Sequence, residues 1–395
     1  MPLVNMKDML DHAHANGYAV GAFDLVSLDF LDGILQGAEN RRAPVILSLA
    51  ESHFGYFDFR NIMPAVVAAA RRSPIPVAIH LDHGASLDSA VRAINLGCNG
   101  IMVDTSNAPL DTNISLTREI VNMARGCGIP VEGELGYVPG VEGEDAERHP
   151  GEIAYTTVEE AERFVAETGV DFLAVSIGTV HGHMRGEPVL DFQRLAEINQ
   201  TLGIPLVIHG GTGLSDEQFR RLIDNGVAKI NYYTALADAA GEVIRNHAQD
   251  GARGYTALVS GIGDAIRAEV ERCIDLWGGT GRADAVLEQA QPWRNLEHVI
   301  IYNVEGLDEA DTHAMMAEGR RVLSAIPGVL EVVTAQALKE DAAYRYAWLV
   351  RFCHPAVVDS YRDHPDHVAF ADRRFRPVAG KRISIDYQDV EDSCS

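Results

Sequence analysis

His209-Gly-Gly-Thr-Gly213 directly follows the apolar run Ile204-Pro-Leu-Val-Ile208, so a potential metal ligand stands at a strand end beside a turn able to cradle an anion. Two further histidines occupy equivalent places: His83 after Val77-Ala-Ile-His-Leu81, and His181 after Phe172-Leu-Ala-Val-Ser-Ile177. Three imidazoles from three strands, with no cysteine beside them, suit a catalytic zinc site that keeps a position open for substrate. For any one histidine alone, a hydrogen-bonded strand-end residue is the competing reading, and His183 is read as a bystander. A Lewis acid beside an anion site suits a phosphorylated carbonyl compound, and Asp82, next to His83, is placed to exchange a proton with it. Such a set can break a carbon–carbon bond next to a hydroxyl, leaving an enediolate whose charge the cation offsets. The rival route, a lysine Schiff base, has little to draw on: only Lys229 falls in a barrel strand, and its depth reads as interior structure.

Bringing these groups together requires a barrel. Short β-branched runs recur at 19–23, 45–50, 77–81, 100–103, 131–135, 172–177, 206–209 and 227–232, each followed by a helix-like stretch. Eight strand–helix units in about 250 residues predict a (β/α)8 TIM barrel, whose reactive groups lie at the C-terminal ends of the strands. Those ends carry Asp24, Asp82, His83, Asp104, Glu134, His181, His209 and Asn231. An open doubly wound sheet would want a Gly-x-Gly-x-x-Gly turn after its first strand, and Gly17, Gly21 and Gly33 do not make one. Ser215-Asp-Glu-Gln218 has capping-box spacing, which starts a helix just past the glycine turn. The loop from 136 to about 154, rich in Gly, Pro and Glu, is too long for an ordinary connection and reads as a flap over the site, with a plain surface excursion as the alternative.

The chain is expected to divide into a barrel at 1–277, a linker at 278–296 and a second unit at 297–395. In the second unit, strands at 298–304, 329–337 and 344–352, a helix at 308–325, another from about 355 and a last strand near 382–387 give the β-α-β-β-α-β order of a small α+β, ferredoxin-like domain. With 33 Lys and Arg against 57 Asp and Glu, the formal net charge is −24, which repels nucleic acid and anionic membranes and favours a small-molecule partner. Five scattered cysteines without a Cys-x-x-Cys pair read as reduced thiols, and no signal segment or membrane span is evident, so a cytoplasmic location is expected.

His80-Leu-Asp-His-Gly84, Val131-Glu-Gly-Glu-Leu-Gly136, Ile177-Gly-Thr-Val-His-Gly182, His209-Gly-Gly-Thr-Gly213 and Lys229-Ile-Asn231 together resemble the class II, zinc-dependent ketose-bisphosphate aldolases over about 1–277. The resemblance implies that His83, His181 and His209 hold the catalytic Zn2+ and that Asp82 is the acid/base. It implies that Asp104 and Glu134 bind or approach a second divalent or monovalent cation, and that Gly182, Gly210, Gly211, Thr212, Asn231 and Thr234 surround a dihydroxyacetone-phosphate-like half. Glu142 falls near the flap carboxylate that handles the enediolate proton in some members. The second unit resembles the stress-responsive dimeric α/β-barrel domains through Ile326-Pro-Gly-Val329 and His364-Pro-Asp-His-Val-Ala369, which implies pairing of chains into a homodimer or homotetramer. Some relatives of such domains act on small carbonyl compounds, so His298, His364 and His367 are candidate functional groups beside a structural role.

Departures from the family pattern bear on substrate. Asp24 stands where asparagine is usual, Ala50 where serine is, Thr212 where serine is, Arg185 where lysine is frequent, and Tyr232 and Tyr233 where small apolar residues are. Asp24, counted with the substrate-binding residues, and Glu51 bring negative charge near the substrate, and two anions a few ångströms apart repel on the order of kilocalories per mole. The expected reaction is therefore aldol cleavage or formation of a ketose phosphate from a ketone and an aldehyde. A mono- or non-phosphorylated ketose is the first alternative. A zinc hydrolase using the same histidines, and a non-catalytic metabolite-binding scaffold, are the others.

Overall fold

Strand runs that are apolar on both faces must be covered on both sides, and closing them into a barrel ringed by helices does this. The computed structural model describes residues 2–139, 154–183 and 189–388. Its first eight strands are β1 (Val20–Asp24), β2 (Val45–Ala50), β3 (Val77–Gly84), β4 (Gly100–Val103), β5 (Val131–Leu135), β6 (Phe172–Val175), β7 (Leu206–Ile208) and β8 (Val227–Tyr232). They form a closed parallel barrel in sequence order, and β1 meets β8 with Ala22 opposite Asn231. The barrel expected from the sequence is thus the barrel observed.

At the N-terminal end the barrel is plugged by apolar side chains. Met6, Met9 and Leu10 of the helix Met6–Ala15 pack with Val20, Ala22, Ile46, Phe172 and Val207. The same cluster includes Val286 and Ala290, four residues apart, and the chain forms a helix at Ala283–Gln289. Part of the 278–296 stretch read as linker is therefore ordered, because that i, i+4 pair gives it an apolar face to bury. Towards the other end the barrel interior turns polar, with Ser48, His80, Asp82, Glu132, Glu134, Lys229 and Asn231 all buried. The Ser215–Gln218 capping box is present and starts the helix Asp216–Asp224 after the glycine turn.

The chain separates into two units, Met1–Ser86 with Gly100–Val121 and Pro130–Pro292, and Leu87–Asn99 with Asn122–Ile129 and Trp293–Ser395. The second unit holds β9 (Leu296–Val304), β10 (Val329–Gln336), β11 (Tyr346–Phe352) and β12 (Ala379–Tyr387) in the order β10-β11-β9-β12, with every neighbouring pair antiparallel. Tyr302, Trp348, Val350 and Phe352 bury one face of this sheet. The helix expected from about 355 is two short ones, Val357–Asp363 and Pro365–Phe370. Pro365 cannot donate to a continuing helix, and it opens the second one at its first position under the His364 side chain. No helix among the described residues is long and apolar enough to cross a membrane.

Candidate active site

The three histidines converge, His83 from within β3, His209 from directly after β7, and His181 from six residues beyond the end of β6. Ring centroids of His83 and His209 lie 4.7 Å apart, His83 and His181 4.9 Å, and His181 and His209 5.7 Å. One ligand atom from each lies within 4.8 Å of the other two. His83 reaches the site by an unusual route. Asp82 already uses the inward position of β3, so plain alternation would turn His83 outward. A register shift between Leu81 and Gly84 and a left-handed φ of 45° at His83 turn its ring back over the barrel mouth.

Each imidazole is fixed through one ring nitrogen. His83 Nδ1 lies 3.1 Å from Asp104 Oδ2, His181 Nδ1 3.1 Å from the Val138 carbonyl, and His209 Nε2 2.9 Å from Glu132 Oε1. His83 Nε2 and His209 Nδ1 then approach each other to 2.8 Å. Two nitrogens about 2.0–2.1 Å from a common zinc ion would stand roughly 3 Å apart, and an acceptor behind each imidazole is the usual support of such ligands. Asp82 Oδ2 and Glu134 Oε2 are buried and meet no hydrogen-bond donor among the described residues. They lie 4.0 Å from His83 Nε2 and 3.7 Å from His209 Nδ1 respectively. Four carboxylates, Asp82, Asp104, Glu132 and Glu134, gather here with Lys229 as the one lysine. A donor set of imidazoles under a surplus of carboxylates fits a divalent cation.

The same charges set the acidities. Burial pushes His181 down to about 3, which keeps its imidazole neutral. Burial also opposes charge on His83, but Asp82, Asp104 and Glu134 outweigh it and raise His83 well above its ordinary value. Asp82 is desolvated, yet His83, His209 and Lys229 hold it well below the usual carboxylate range. Glu134 moves the other way, raised by burial and by the nearby Asp104.

Beneath the histidines lies a buried ion pair that sequence reasoning passed over. Glu132 Oε2 stands 2.7 Å from Lys229 Nζ, while its other oxygen holds His209. Lys229 also donates to Asn231 Oδ1 at 2.6 Å, and Asn231 Nδ2 donates to Asp82 Oδ1 at 2.9 Å. The lysine is thus spent on two acceptors, as interior structure. The signal for Glu132 was available: it sits two residues before Glu134 on the inward face of β5. His80, buried 3.7 Å from Glu132, belongs to the same layer.

The other expected site residues distribute around the mouth. A Cβ on Gly210, whose φ is +69°, would lie 2.0 Å from the Val180 carbonyl oxygen, so only glycine lets this turn pack against the Val180–His181 backbone. Gly211 backs onto the Asn231 carbonyl, Thr212 is half-buried beside it, and Thr234 is buried at the start of the helix Thr234–Gln249. Asn231 points into the Asp82–Lys229 network rather than toward the glycine turn. Asp24 is buried at the end of β1. Glu51 accepts from the Ala85 amide at 2.6 Å. His183 pairs with Asp238 at 3.4 Å. The two tyrosines separate: Tyr232 packs outside the barrel on Trp277 with its hydroxyl on Glu269, whereas Tyr233 lies against His53, ring centroids 4.3 Å apart. His53 gave no sequence signal; burial pushes it down to about 4. Glu142, most of the expected flap and Arg185 lie outside the described residues.

Comparison with known proteins agrees with this geometry. Residues 4–282 match the family model for fructose-bisphosphate aldolase class-II, and residues 296–389 match the stress responsive A/B barrel domain. A probable fructose-bisphosphate aldolase of Bacillus subtilis is 40% identical over 248 residues, covering 62% of this chain and 86% of that protein. A fructose-bisphosphate aldolase of Staphylococcus aureus is 37% identical over 288 residues, 72% of this chain and all of the relative (100%). Among solved structures, the YdjI aldolase of Escherichia coli K12 superposes with a TM-score of 0.64 at 32% identity, covering 71% of this chain and 99% of that one. Barrel, converging histidines and glycine turn thus place the chain in the class II fructose-bisphosphate aldolase family, as an aldehyde-lyase with a stress-responsive A/B barrel domain at its C-terminal end.

Proposed function

We propose that the barrel is a zinc-dependent aldolase that reversibly splits a ketose phosphate into a dihydroxyacetone-phosphate-like ketone and an aldehyde. The observation that carries this reading is the trio His83, His181 and His209, each tied back through one nitrogen, with ligand atoms within 4.8 Å of one another. A zinc ion held there would act as a Lewis acid on the ketone carbonyl and offset the negative charge that develops as the bond breaks. Asp82, held ionised by its neighbours, takes the proton from the hydroxyl at the carbon being cleaved and returns it in the synthetic direction. Asn231 fixes the Asp82 carboxylate through its amide, and Lys229 fixes Asn231. Backbone amides of Gly210–Gly213, with Gly182 and Thr234, bind the phosphate of the donor half, and Thr212 adds a hydroxyl. Asp104 orients the His83 ring, and Asp104 and Glu134 are the carboxylates available to a second cation. Glu142 is the candidate for proton transfer at the donor carbon.

His209→Ala is expected to lose bound zinc, measured by mass spectrometry of the dialysed protein, together with cleavage. Full cleavage by metal-stripped protein would overturn the reading. Conversion of esters or lactones without proton exchange from a bound ketone would point to a hydrolase instead.

We further propose that 297–395 pairs two chains, giving an even-numbered oligomer that acts in the cytoplasm. The sheet face opposite Trp348 carries Val299, Ile301, Leu349, Ile383 and Ile385 in register, and Ile383 and Ile385 are 40% and 43% exposed. A second copy of the same sheet would cover this apolar face.

A further inference from the structure

The sheet of the second unit buries one face, yet the side chains gathered on it leave a gap. A cavity of about 30 Å³, partly open to solvent, lies between Ile300, Trp348 and Val350 of the sheet and Phe370 and Phe375 from the segment that covers them. That is room for about two water-sized groups before the open side is counted. Packed interiors seldom keep such a space, because its walls forfeit dispersion contacts that an apolar ligand would restore.

Two polar side chains border the cavity, Tyr361 and His367, with ring centroids 4.4 Å apart. His367 Nδ1 lies 2.9 Å from the Arg362 carbonyl, which can only accept, so Nδ1 carries the proton. Burial favours the neutral ring, and its Nε2 then keeps a lone pair. Among the described residues Nε2 meets no donor, and the Tyr361 hydroxyl makes no hydrogen bond. Beside Tyr361 stands His298, ring centroids 6.4 Å apart, whose Nδ1 is 2.6 Å from Asp386 Oδ1. His298 is opposite Val350 on one neighbouring strand and Asp386 on the other, so all three share the face that holds the cavity. Polar groups thus collect at one edge of an otherwise apolar pocket.

The lining also determines what is kept out. It includes no Lys, Arg, Asp or Glu, and Arg376, whose charge acts on His367, is paired with Asp372. A phosphate or carboxylate entering this cavity would leave water with no lining cation to meet it, which is strongly unfavourable. Sugar phosphates of the kind proposed for the barrel are therefore not its ligands.

We propose that this cavity is a second binding site, separate from the barrel, for a small uncharged molecule with an apolar body and one hydroxyl, a simple phenol being the model. The hydroxyl donates to His367 Nε2 and accepts from Tyr361, while the body lies against Trp348, Val350 and Phe370. His298, anchored on Asp386, backs the Tyr361 ring. No residue of the barrel strands takes part, so the site stands or falls apart from the aldolase reading.

Calorimetric titration of the chelator-treated full chain with phenol, toluene and benzoate tests this. We expect phenol to bind with a Kd of about 0.3 mM or tighter, toluene about tenfold more weakly for want of the hydroxyl, and benzoate about a hundredfold more weakly. His367→Phe should bring the phenol-to-toluene ratio to about one, which loss of a merely structural ring would not do. Leu323→Phe adds bulk to the cavity wall and should abolish binding of both, with circular dichroism showing the fold retained. In the unaltered chain, the indole N–H resonance of Trp348 should shift with the same Kd for phenol, a readout that needs no variant. The proposal is overturned by absence of phenol binding, by toluene or benzoate binding as tightly as phenol, by an unmoved Trp348 resonance, or by a folded Leu323→Phe chain that binds phenol as the wild type does.

Discussion

Replacing Glu132 with glutamine should separate what the buried ion pair does for the fold from what it does for the site. Glu132 and Lys229 are both fully buried, 2.7 Å apart. At an effective dielectric near 20 their attraction is about 6 kcal/mol, while an unpartnered buried charge left after removing one member typically costs about 3–5 kcal/mol. Glu132→Gln keeps the volume but strands the Lys229 ammonium, so urea unfolding of chelator-treated protein should show a loss of about 3–5 kcal/mol. Glu132→Gln with Lys229→Met removes both charges, and most of that loss should return. Zinc affinity should behave otherwise. His209 Nε2 rests on Glu132 Oε1 at 2.9 Å, and an amide oxygen is a weaker acceptor than a carboxylate. Support of this kind is worth about 10–100-fold in metal affinity, so competition titration should show that deficit in both variants. The reasoning is refuted if the double variant is as unstable as the single one, or if both bind zinc as tightly as wild type.

Three further outcomes follow from the geometry. Gly210→Ala places a methyl group 2.0 Å from the Val180 carbonyl at a left-handed φ, so thermal unfolding should register a loss of at least about 1–3 kcal/mol, with weaker binding of inorganic phosphate by calorimetry. Burial favours a neutral Glu269, but hydrogen bonds from Arg272 and Tyr232 outweigh it and lower its pKa. Its stabilisation is therefore present above the unfolded carboxyl pKa and is lost as pH falls through the lower folded one. Glu269→Gln should flatten the acid limb of Tm against pH, and an unchanged limb would contradict this. Ile385→Lys puts a charge in the middle of the exposed sheet face, and sedimentation velocity should then show dissociation toward single chains; an unaltered boundary would mean the chains pair elsewhere.

Much of the fold was legible because barrel strands are buried on both faces, so continuous apolar runs mark them without help from periodicity. The runs at 45–50, 100–103, 131–135 and 227–232 coincide with β2, β4, β5 and β8. Elements that depend on tertiary burial were harder. The helix Ala283–Gln289 is only two turns long and is ordered by Val286 and its neighbours in the barrel plug, a contact that composition cannot announce. The break between Val357–Asp363 and Pro365–Phe370 was written in Pro365, whose missing N–H permits a helix start but not a helix interior.

Legibility of the site followed one rule and failed where the rule breaks. Residues at strand ends project into the mouth, which located Asp24, His209 and Asn231 directly from the strand assignments. His83 violates that alternation and reaches the centre only because the chain bulges after Leu81, so its place was readable from its company with Asp82 but its geometry was not. Glu132 lies one layer below the reactive groups, where inward carboxylates look structural until the distances to His209 and Lys229 show one residue supporting both. His53 is further removed, since a loop residue carries no periodicity at all, and only the approach of Tyr233 fixes its ring at the mouth. What the spacing of a sequence reveals is therefore the set of groups on which the proposed cleavage rests. Groups such as His53 and Glu132, whose places hang on a loop and on depth, emerge only when the strands are closed into a barrel.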